Sequence, residues 1–176
     1  VHGSIATRML DMMREGFDIT PLQLFLKNLY DNPSRTAVNE LYDFLEYGKN
    51  PITSDGHFLA YKRVRHDYKS VHDGKTDNSI GSKPSLPRNK VDDNRDRTCS
   101  YGLHFCSHEY LSNFSGDRVV VLKINPRDVV SIPSDYNNTK GRACTYEIIA
   151  ELSEAEKETA MRKTIWDRPV QDYGTP

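Results

Sequence analysis

The chain has 176 residues, of which 36% are hydrophobic and 28% are charged, and its formal net charge is -1. A chain of this length is expected to form one domain with a buried core. Its near-neutral charge argues against non-specific nucleic-acid binding through bulk charge. It also contains no apolar run of the ~18 residues that a membrane span needs.

The first 50 residues are predicted to be helical. Apolar residues recur at helical spacing from Ile5 to Arg14. Thr20-Pro21 resembles an N-cap followed by proline at the first helical position, and it begins a second helix. Ser34 is predicted to cap a third helix that Gly48 ends. The apolar stripes of these helices indicate core packing rather than a cofactor site.

The hydrophobic period changes to two after Pro51, which predicts a strand over residues 57–64. One face of that strand is expected to carry Phe58, Ala60, Lys62 and Val64. Further strands are predicted in GLHFC, DRVVVLKI, DVVSIP and ACTYEIIAEL, and a short helix in SHEYLSNF. The segment from Lys75 to Arg97 and the stretch DYNNTKGR are polar and are predicted to be loops.

The predicted fold class is therefore α+β. N-terminal helices are expected to pack on a mixed or antiparallel sheet, with one short inserted helix and a C-terminal helix capped by Ser153. We divide the chain into a helical part at 1–50, a sheet part at 51–152 and a C-terminal helix and tail at 153–176, all in one compact unit.

The cysteines and a nearby histidine form the first candidate site. An odd number of cysteines does not make a disulfide framework, so reduced thiols are expected. A structural zinc site would use Cys99, His104, Cys106 and Cys144. The spacing lacks the paired Cys-x-x-Cys knuckles of zinc ribbons, and buried cysteines beside a packed histidine explain the same pattern. We favour that structural interpretation and predict no metal and no cofactor.

Two other kinds of chemistry are weakly indicated. Cys106 lies near His104, but alternate residues of one strand rarely give a nucleophile and base the required geometry. The acidic turn from Asp92 to Asp96 lacks the glycine and glutamate positions of an EF-hand, so a solvated loop with Asx turns is favoured.

Contact surfaces are predicted in polar segments around the cysteine-containing strand, because functional residues often lie on loops. The basic groups of these segments are suited to binding a phosphate or an acidic partner. They are the cluster Lys62, Arg63, Arg65 and His66 after the first strand, and Lys140 and Arg142 in DYNNTKGR. The predicted binding residues are Arg63, Arg65, Asp92, Asp93, Asn94, Arg97, Asp135, Tyr136, Asn137, Lys140 and Arg142.

Several stretches, in the same order, resemble the C-terminal half of the RIIB family, the rapid-lysis proteins of T-even and related bacteriophages. The matching blocks are DGHFLAYKRVR, DNSIG, LPRNKVDDN, TCSYGLHFCS and NPRDVVSIPSDYNNTKGRACTYEII. The family usually has proline where Ile80 stands, so that turn is expected to differ. The N-terminal half typical of the family is not expected in this chain.

The resemblance implies a phage protein that acts in the cytoplasm of an infected bacterium, or peripherally at its inner membrane. Its expected partner is a RIIA-like phage protein or a host protein. The expected roles are lysis timing and protection from prophage-encoded exclusion or other host defence. These roles rest on protein–protein contact, and the family resemblance assigns no enzymatic activity.

An analogy to ADP-ribosyltransferase-like domains gives an enzymatic alternative. In those domains a strand with a glycine and an aromatic residue precedes a helix, and a late glutamate is catalytic. By that analogy, Glu147 would orient a ribose hydroxyl, and Tyr61 or His104 would line a nucleotide pocket.

Overall fold

Three α-helices precede a six-stranded sheet in the computed structural model, which describes residues 3–48, 50–97, 99–113, 116–133 and 140–153. The helices are α1 (Gly3–Arg14), α2 (Thr20–Tyr30) and α3 (Arg35–Gly48). The strands are β1 (Phe58–Val64), β2 (Leu103–Cys106), β3 (Arg118–Ile124), β4 (Val129–Ser131), β5 (Lys140–Ala143) and β6 (Glu147–Glu151). No helix of the described residues is both long and apolar enough to cross a bilayer.

The sheet has the strand order β4-β5-β2-β1-β3-β6, and each pair of neighbouring strands is antiparallel. The α+β class is therefore confirmed, with the antiparallel form of the sheet. The short helix predicted after β2 is a 3-10 helix at His108–Asn113. The predicted C-terminal helix lies outside the described residues.

The capping predictions for α2 and α3 had different outcomes. Ser34 caps α3 as expected, because its hydroxyl accepts a hydrogen bond from the Ala37 amide at 3.1 Å. The Thr20 prediction was wrong, since the N-cap position belongs to Ile19. The Thr20 amide donates to the Asp18 carboxylate at 2.9 Å. Asp18 therefore satisfies one of the main-chain amides at the N-terminus of α2.

The larger core lies between the helices and one face of the sheet. Its centre is formed by Phe44, Phe58 and Phe105, whose rings meet edge-on with centroids 5.3 to 6.0 Å apart. The Phe105 ring lies over Gly141 of the neighbouring strand, where a Cβ atom would collide with it. Because Gly141 has no side chain, β5 can lie close to this aromatic cluster.

The opposite face of the sheet carries a smaller apolar cluster. Leu59 and Tyr61 of β1 belong to it, whereas Phe58, Ala60 and Val64 belong to the larger core. The alternation predicted for this strand is therefore confirmed. The 3-10 helix covers the smaller cluster with Tyr110 and Leu111.

The C-terminal strands differ from the prediction in two ways. The stretch predicted as the polar loop DYNNTKGR ends in β5, whose residues Lys140 to Ala143 are all buried. The single strand predicted over ACTYEIIAEL is divided, because β5 and β6 lie in opposite halves of the sheet. The Cys144 amide donates to the Asp128 carbonyl and the Thr145 hydroxyl to the Pro84 carbonyl, which fixes the chain as it crosses between them.

Asn32 joins the helical layer to the edge of the sheet. Its buried side-chain amide donates to the carbonyls of Pro126 at 2.9 Å and Val129 at 2.8 Å. Its side-chain oxygen accepts from the Ser34 amide and from the Arg88 guanidinium, both at 2.9 Å. One residue thus satisfies polar groups from three separate segments.

Replacing Asn32 with alanine is expected to lower the free energy of unfolding by about 2–3 kcal/mol, because two carbonyls lose a buried donor. Chemical denaturation of the variant measures this loss. Asn39→Ala, at an exposed position of α3, is the matched control and should change stability by less than about 0.5 kcal/mol. Equal stability of the two variants would contradict the role given to Asn32.

Candidate functional site

A cavity opens where the centre of the sheet is incompletely paired. Strands β1 and β2 share one register pair, Tyr61 with Cys106, whereas β1 and β3 pair along their full length. Beside this weak pairing lies a cavity of about 240 Å3. Its walls come from β1, from β2 and the turn before it, from residues 70–73, and from Thr76 and Tyr146.

Lys62 carries the positive charge of this cavity. Lys62 is partly buried, and its Nζ donates a hydrogen bond to the His104 carbonyl at 2.9 Å. The ammonium lies 6.0 Å from the centroid of the Tyr146 ring. Loss of hydration lowers the pKa of Lys62 to about 8, which outweighs the opposing influence of Asp73.

His104 lies on the wall of the cavity and is neutral at pH 7. Its Nε2 lies 2.6 Å from the Ser100 carbonyl, so this nitrogen carries the proton and donates it. Burial, together with the weaker effects of the positive charges of Lys62 and Arg142, lowers the pKa of His104 to about 4. The ring of His72 is tilted towards it, with centroids 6.4 Å apart.

The three cysteines do not meet in this cavity as a metal site. Cys106 is fully buried and donates to the Tyr61 carbonyl at 3.5 Å, and burial raises the pKa of its thiol to about 12. Cys144 lies in a separate apolar cluster, and Cys99 is exposed. No three His, Cys, Asp or Glu side chains of the described residues are arranged to hold a metal ion.

This arrangement corrects both chemical alternatives based on the cysteines. A zinc site needs four converging ligands, and Cys99, His104, Cys106 and Cys144 do not converge. A nucleophile needs a thiolate, and a thiol with the raised pKa of Cys106 is protonated at neutral pH. The first alternative therefore lacks the required convergence of ligands, and the second lacks the required thiolate.

A second candidate site is the loop of residues 92–97, which we call the anchored loop. Arg142 is fully buried, and its guanidinium donates to the main-chain carbonyls of Asp92 at 2.8 Å, Asn94 at 2.7 Å and Arg97 at 2.6 Å. A fourth hydrogen bond goes to the Ser131 hydroxyl at 3.2 Å. The predicted binding residue Arg142 is therefore directed into the protein, where it fixes the backbone of the loop.

The carboxylate of Asp92 provides further restraint within the loop. It accepts hydrogen bonds from the Ser100 hydroxyl at 2.5 Å, from the Asn94 amide at 2.9 Å and from Arg97 at 3.1 Å. These donors lower the pKa of Asp92 to about 2, with that of Ser100 contributing most. Asp92 is thus ionised over the physiological range and holds the two ends of the loop together.

An ion pair connects the anchored loop to the helical layer. Arg95 lies 3.2 Å from the carboxylate of Glu40 on α3, whose side chain is 8% exposed. Glu40 also accepts a hydrogen bond from the Ile132 amide at 3.3 Å. Burial raises the pKa of Glu40, and Arg95 only partly opposes this effect.

The other predicted binding residues have different surroundings. Lys140 is buried and its ammonium lies 5.4 Å from the centroid of the Tyr110 ring. Arg63 donates to the Leu111 carbonyl at 2.7 Å, which ties β1 to the 3-10 helix. Arg65 forms an exposed ion pair with a neighbouring aspartate. The predicted residues Asp135, Tyr136 and Asn137 lie outside the described residues.

The enzymatic alternative requires Glu147 beside the cavity, and the structure places it elsewhere. Tyr61 and His104 do line the cavity, as that analogy expected. Glu147 begins β6, which β1 and β3 separate from β2, and its carboxylate lies 3.9 Å from the ammonium of Lys83 near the surface. The three residues therefore do not form one pocket.

Comparison with known proteins gives a consistent assignment. The family model described as Bacteriophage T4 protein rIIB matches residues 2–161 of the chain. Protein rIIB of Enterobacteria phage T4 is 44% identical over 159 residues, which make up 89% of this chain and 51% of that protein. The chain belongs to the T4 rIIB family. It spans about half the length of this curated relative, and no solved structure matches it.

The predicted family resemblance is thus confirmed, but the sequence did not identify the most unusual residue of this rIIB-family chain. Lys62 was recognised as part of a basic cluster and was not among the predicted binding residues. Its position in the sequence could have revealed it. Lys62 alternates in step with Phe58, Ala60 and Val64, so a charged residue lies on the apolar face of the strand. Tyr146 was not predicted to line a site, and its contribution to the cavity was missed.

Arg142→Lys is expected to lower the free energy of unfolding by about 2–3 kcal/mol, because an ammonium cannot donate to all three loop carbonyls at once. Amide hydrogen exchange in residues 92–97 should accelerate. Arg14→Lys, at an exposed position, is the control and should leave both measurements unchanged. Unaltered exchange in the Arg142 variant would contradict the anchoring role.

The free energy of unfolding is expected to fall as the pH decreases from about 6.5 to about 4. In this range His104 binds a proton in the unfolded chain but stays neutral in the folded chain, where its pKa is lower. The difference between the His104 pKa values of the folded and unfolded chains corresponds to a loss of unfolding free energy on the order of 3 kcal/mol. Denaturation of His104→Gln across this range should show a flatter pH dependence. His66→Gln, at an exposed position, should retain the wild-type slope, and an equal slope in both variants would refute the assignment.

Proposed function

We propose that this rIIB-family protein acts in the infected bacterium through protein–protein contact made by the anchored loop. The proposed partner is a RIIA-like phage protein or a host protein, and the proposed roles are lysis timing and protection from prophage exclusion or another host defence. The proposed location is the host cytoplasm or the periphery of its inner membrane. Family membership and the fixed conformation of the loop support this proposal.

The loop has the properties of a pre-organised contact surface. Three of its backbone carbonyls accept hydrogen bonds from Arg142, while the side chains of residues 93–97 are exposed. A partner that binds such a loop loses little free energy in ordering it. This rigidity distinguishes the anchored loop from a polar segment that is merely solvated.

The side chains of the loop offer both charge and an aromatic anchor. Arg95 and Arg97 are paired with Glu40 and Asp92, so the acidic groups of Asp93 and Asp96 remain for a partner. Next to them, Tyr101 is 79% exposed, and its carbonyl accepts a hydrogen bond from the amide at position 92. Exposed tyrosines flanked by charged groups are frequent anchors of protein interfaces. A basic partner surface with an apolar pocket fits this arrangement.

The test combines Asp93→Lys, Asp96→Lys and Tyr101→Ala in one variant. The tagged chain is co-expressed with the RIIA-like protein of the same phage, and a second arm recovers host proteins from infected cells. We expect the variant to retain no more than about one tenth of the partner that the wild-type chain retains. An interface tyrosine often contributes more than about 1 kcal/mol of binding free energy, and the two charge reversals weaken binding further. Phage carrying the variant should lose protection on a prophage-bearing host.

A matched control carries Glu15→Lys, Asp31→Lys and Tyr30→Ala, which make the same changes of charge and aromatic surface at exposed positions at or just after the ends of α1 and α2. Thermal unfolding verifies that both variants are folded. Equal partner recovery by the loop variant and the wild-type chain would reject the proposed surface. Failure of the wild-type chain to retain any phage or host protein above background would reject the proposed function itself.

A further inference from the structure

We propose that the cavity beside β1 and β2 binds a small organic anion, whose charged group pairs with Lys62 and whose apolar body fills the rest of the space. This inference is independent of the anchored loop. It rests on the position of one cation, the composition of the walls around it and the size of the cavity.

Lys62 is a partly buried cation whose charge the described residues compensate only in part. An ammonium has three N–H donors, and the described protein atoms accept one of them, through the His104 carbonyl. No carboxylate of the described residues lies within 4.0 Å of its Nζ. The ionised Asp73 carboxylate also lines the cavity and favours the charged ammonium from a greater distance, while its oxygens accept hydrogen bonds from Thr76 and from two backbone amides. Among the described residues Lys62 therefore has no direct ion pair, which a bound anion would supply.

The walls around the ammonium are mainly apolar. Val71, Leu103, Phe105 and Tyr146 contribute aliphatic and aromatic surface, and Ser70 adds a hydroxyl. An apolar pocket with a few convergent polar groups is typical of a site for a small molecule. Arg63 also lines the cavity, but its guanidinium donates to the Leu111 and Gly116 carbonyls, so Lys62 is the cation that would pair with a ligand. Such a pocket selects a molecule with one anionic end and an apolar body.

The size of the cavity limits the ligand further. Its volume of about 240 Å3 lies just below the roughly 300–1,000 Å3 of pockets that bind drug-sized ligands. It therefore suits an organic anion smaller than a typical drug molecule. A dinucleotide would extend beyond the cavity.

Lys62 also carries a cost that folding alone does not explain. A charge removed from water destabilises the folded chain unless it is paired, and a well-packed apolar side chain of similar length removes that penalty. Lys62→Met should consequently unfold at the same temperature as the wild-type chain or at a higher one. The ammonium is thus expected to contribute to binding and not to stability.

Benzoate is a suitable probe, because it is a small planar anion, and benzamide is its neutral counterpart of the same shape. Titrations followed by NMR should show benzoate shifting the resonances of Val71, His104 and Tyr146. Benzoate should bind at least about tenfold more tightly than benzamide, as expected for a charge-assisted contact. Inorganic phosphate provides an arm that tests charge without an apolar body, and it should bind more weakly than benzoate.

Lys62→Met should abolish the preference for benzoate, and Lys62→Gln, which keeps a donor without a charge, should do the same. Lys75→Met makes the same charge change at an exposed neighbouring position and should bind benzoate like the wild-type chain. The proposal is overturned if millimolar benzoate shifts no cavity resonance, if the Lys62 variants bind it unchanged, or if phosphate binds more tightly than benzoate.

Discussion

The guanidinium of Arg142 holds together the parts of the molecule from which both candidate sites are built. It fixes the anchored loop through three carbonyls, and its aliphatic stem packs against Gly102 at the start of β2. A Cβ atom at Gly102 would lie 2.7 Å from Val91, and its φ of 150° also favours glycine. The same positive charge helps to keep His104 neutral. Loop, strand and cavity wall therefore depend on one buried side chain.

Arg142 and the partly buried Lys62 have opposite environments in the same sheet, and this contrast distinguishes a structural role from a binding role. Arg142 is surrounded by acceptors whose geometry matches its planar donors. Lys62, on a strand closer to the centre of the sheet, has one acceptor among the described residues and faces open space. A satisfied cation stabilises the fold, whereas an unsatisfied one beside a cavity has capacity left for a ligand. The limited pairing of β1 with β2 leaves room for that cavity.

Local patterns predicted much of the framework because their physical causes are local. The alternation in β1 follows from the period of a strand, and the Ser34 cap requires only a hydroxyl three residues before an amide. The prediction of a loop at DYNNTKGR failed at its end, since Lys140 and Arg142 are polar by composition but buried in β5. Their partners lie at Tyr110 and in residues 92–97, far away along the chain, and no local rule reveals them.

The sequence by itself determined the family and the α+β class, since several distinctive blocks in a fixed order and two clear hydrophobic periods are sufficient for both. The tertiary structure alone decided which polar residues face inward. It directed Arg142 into the protein instead of towards a partner, separated Glu147 from His104, and left Lys62 beside a cavity. The physical reason is that burial and hydrogen-bond satisfaction depend on contacts between distant segments, which composition and spacing do not encode.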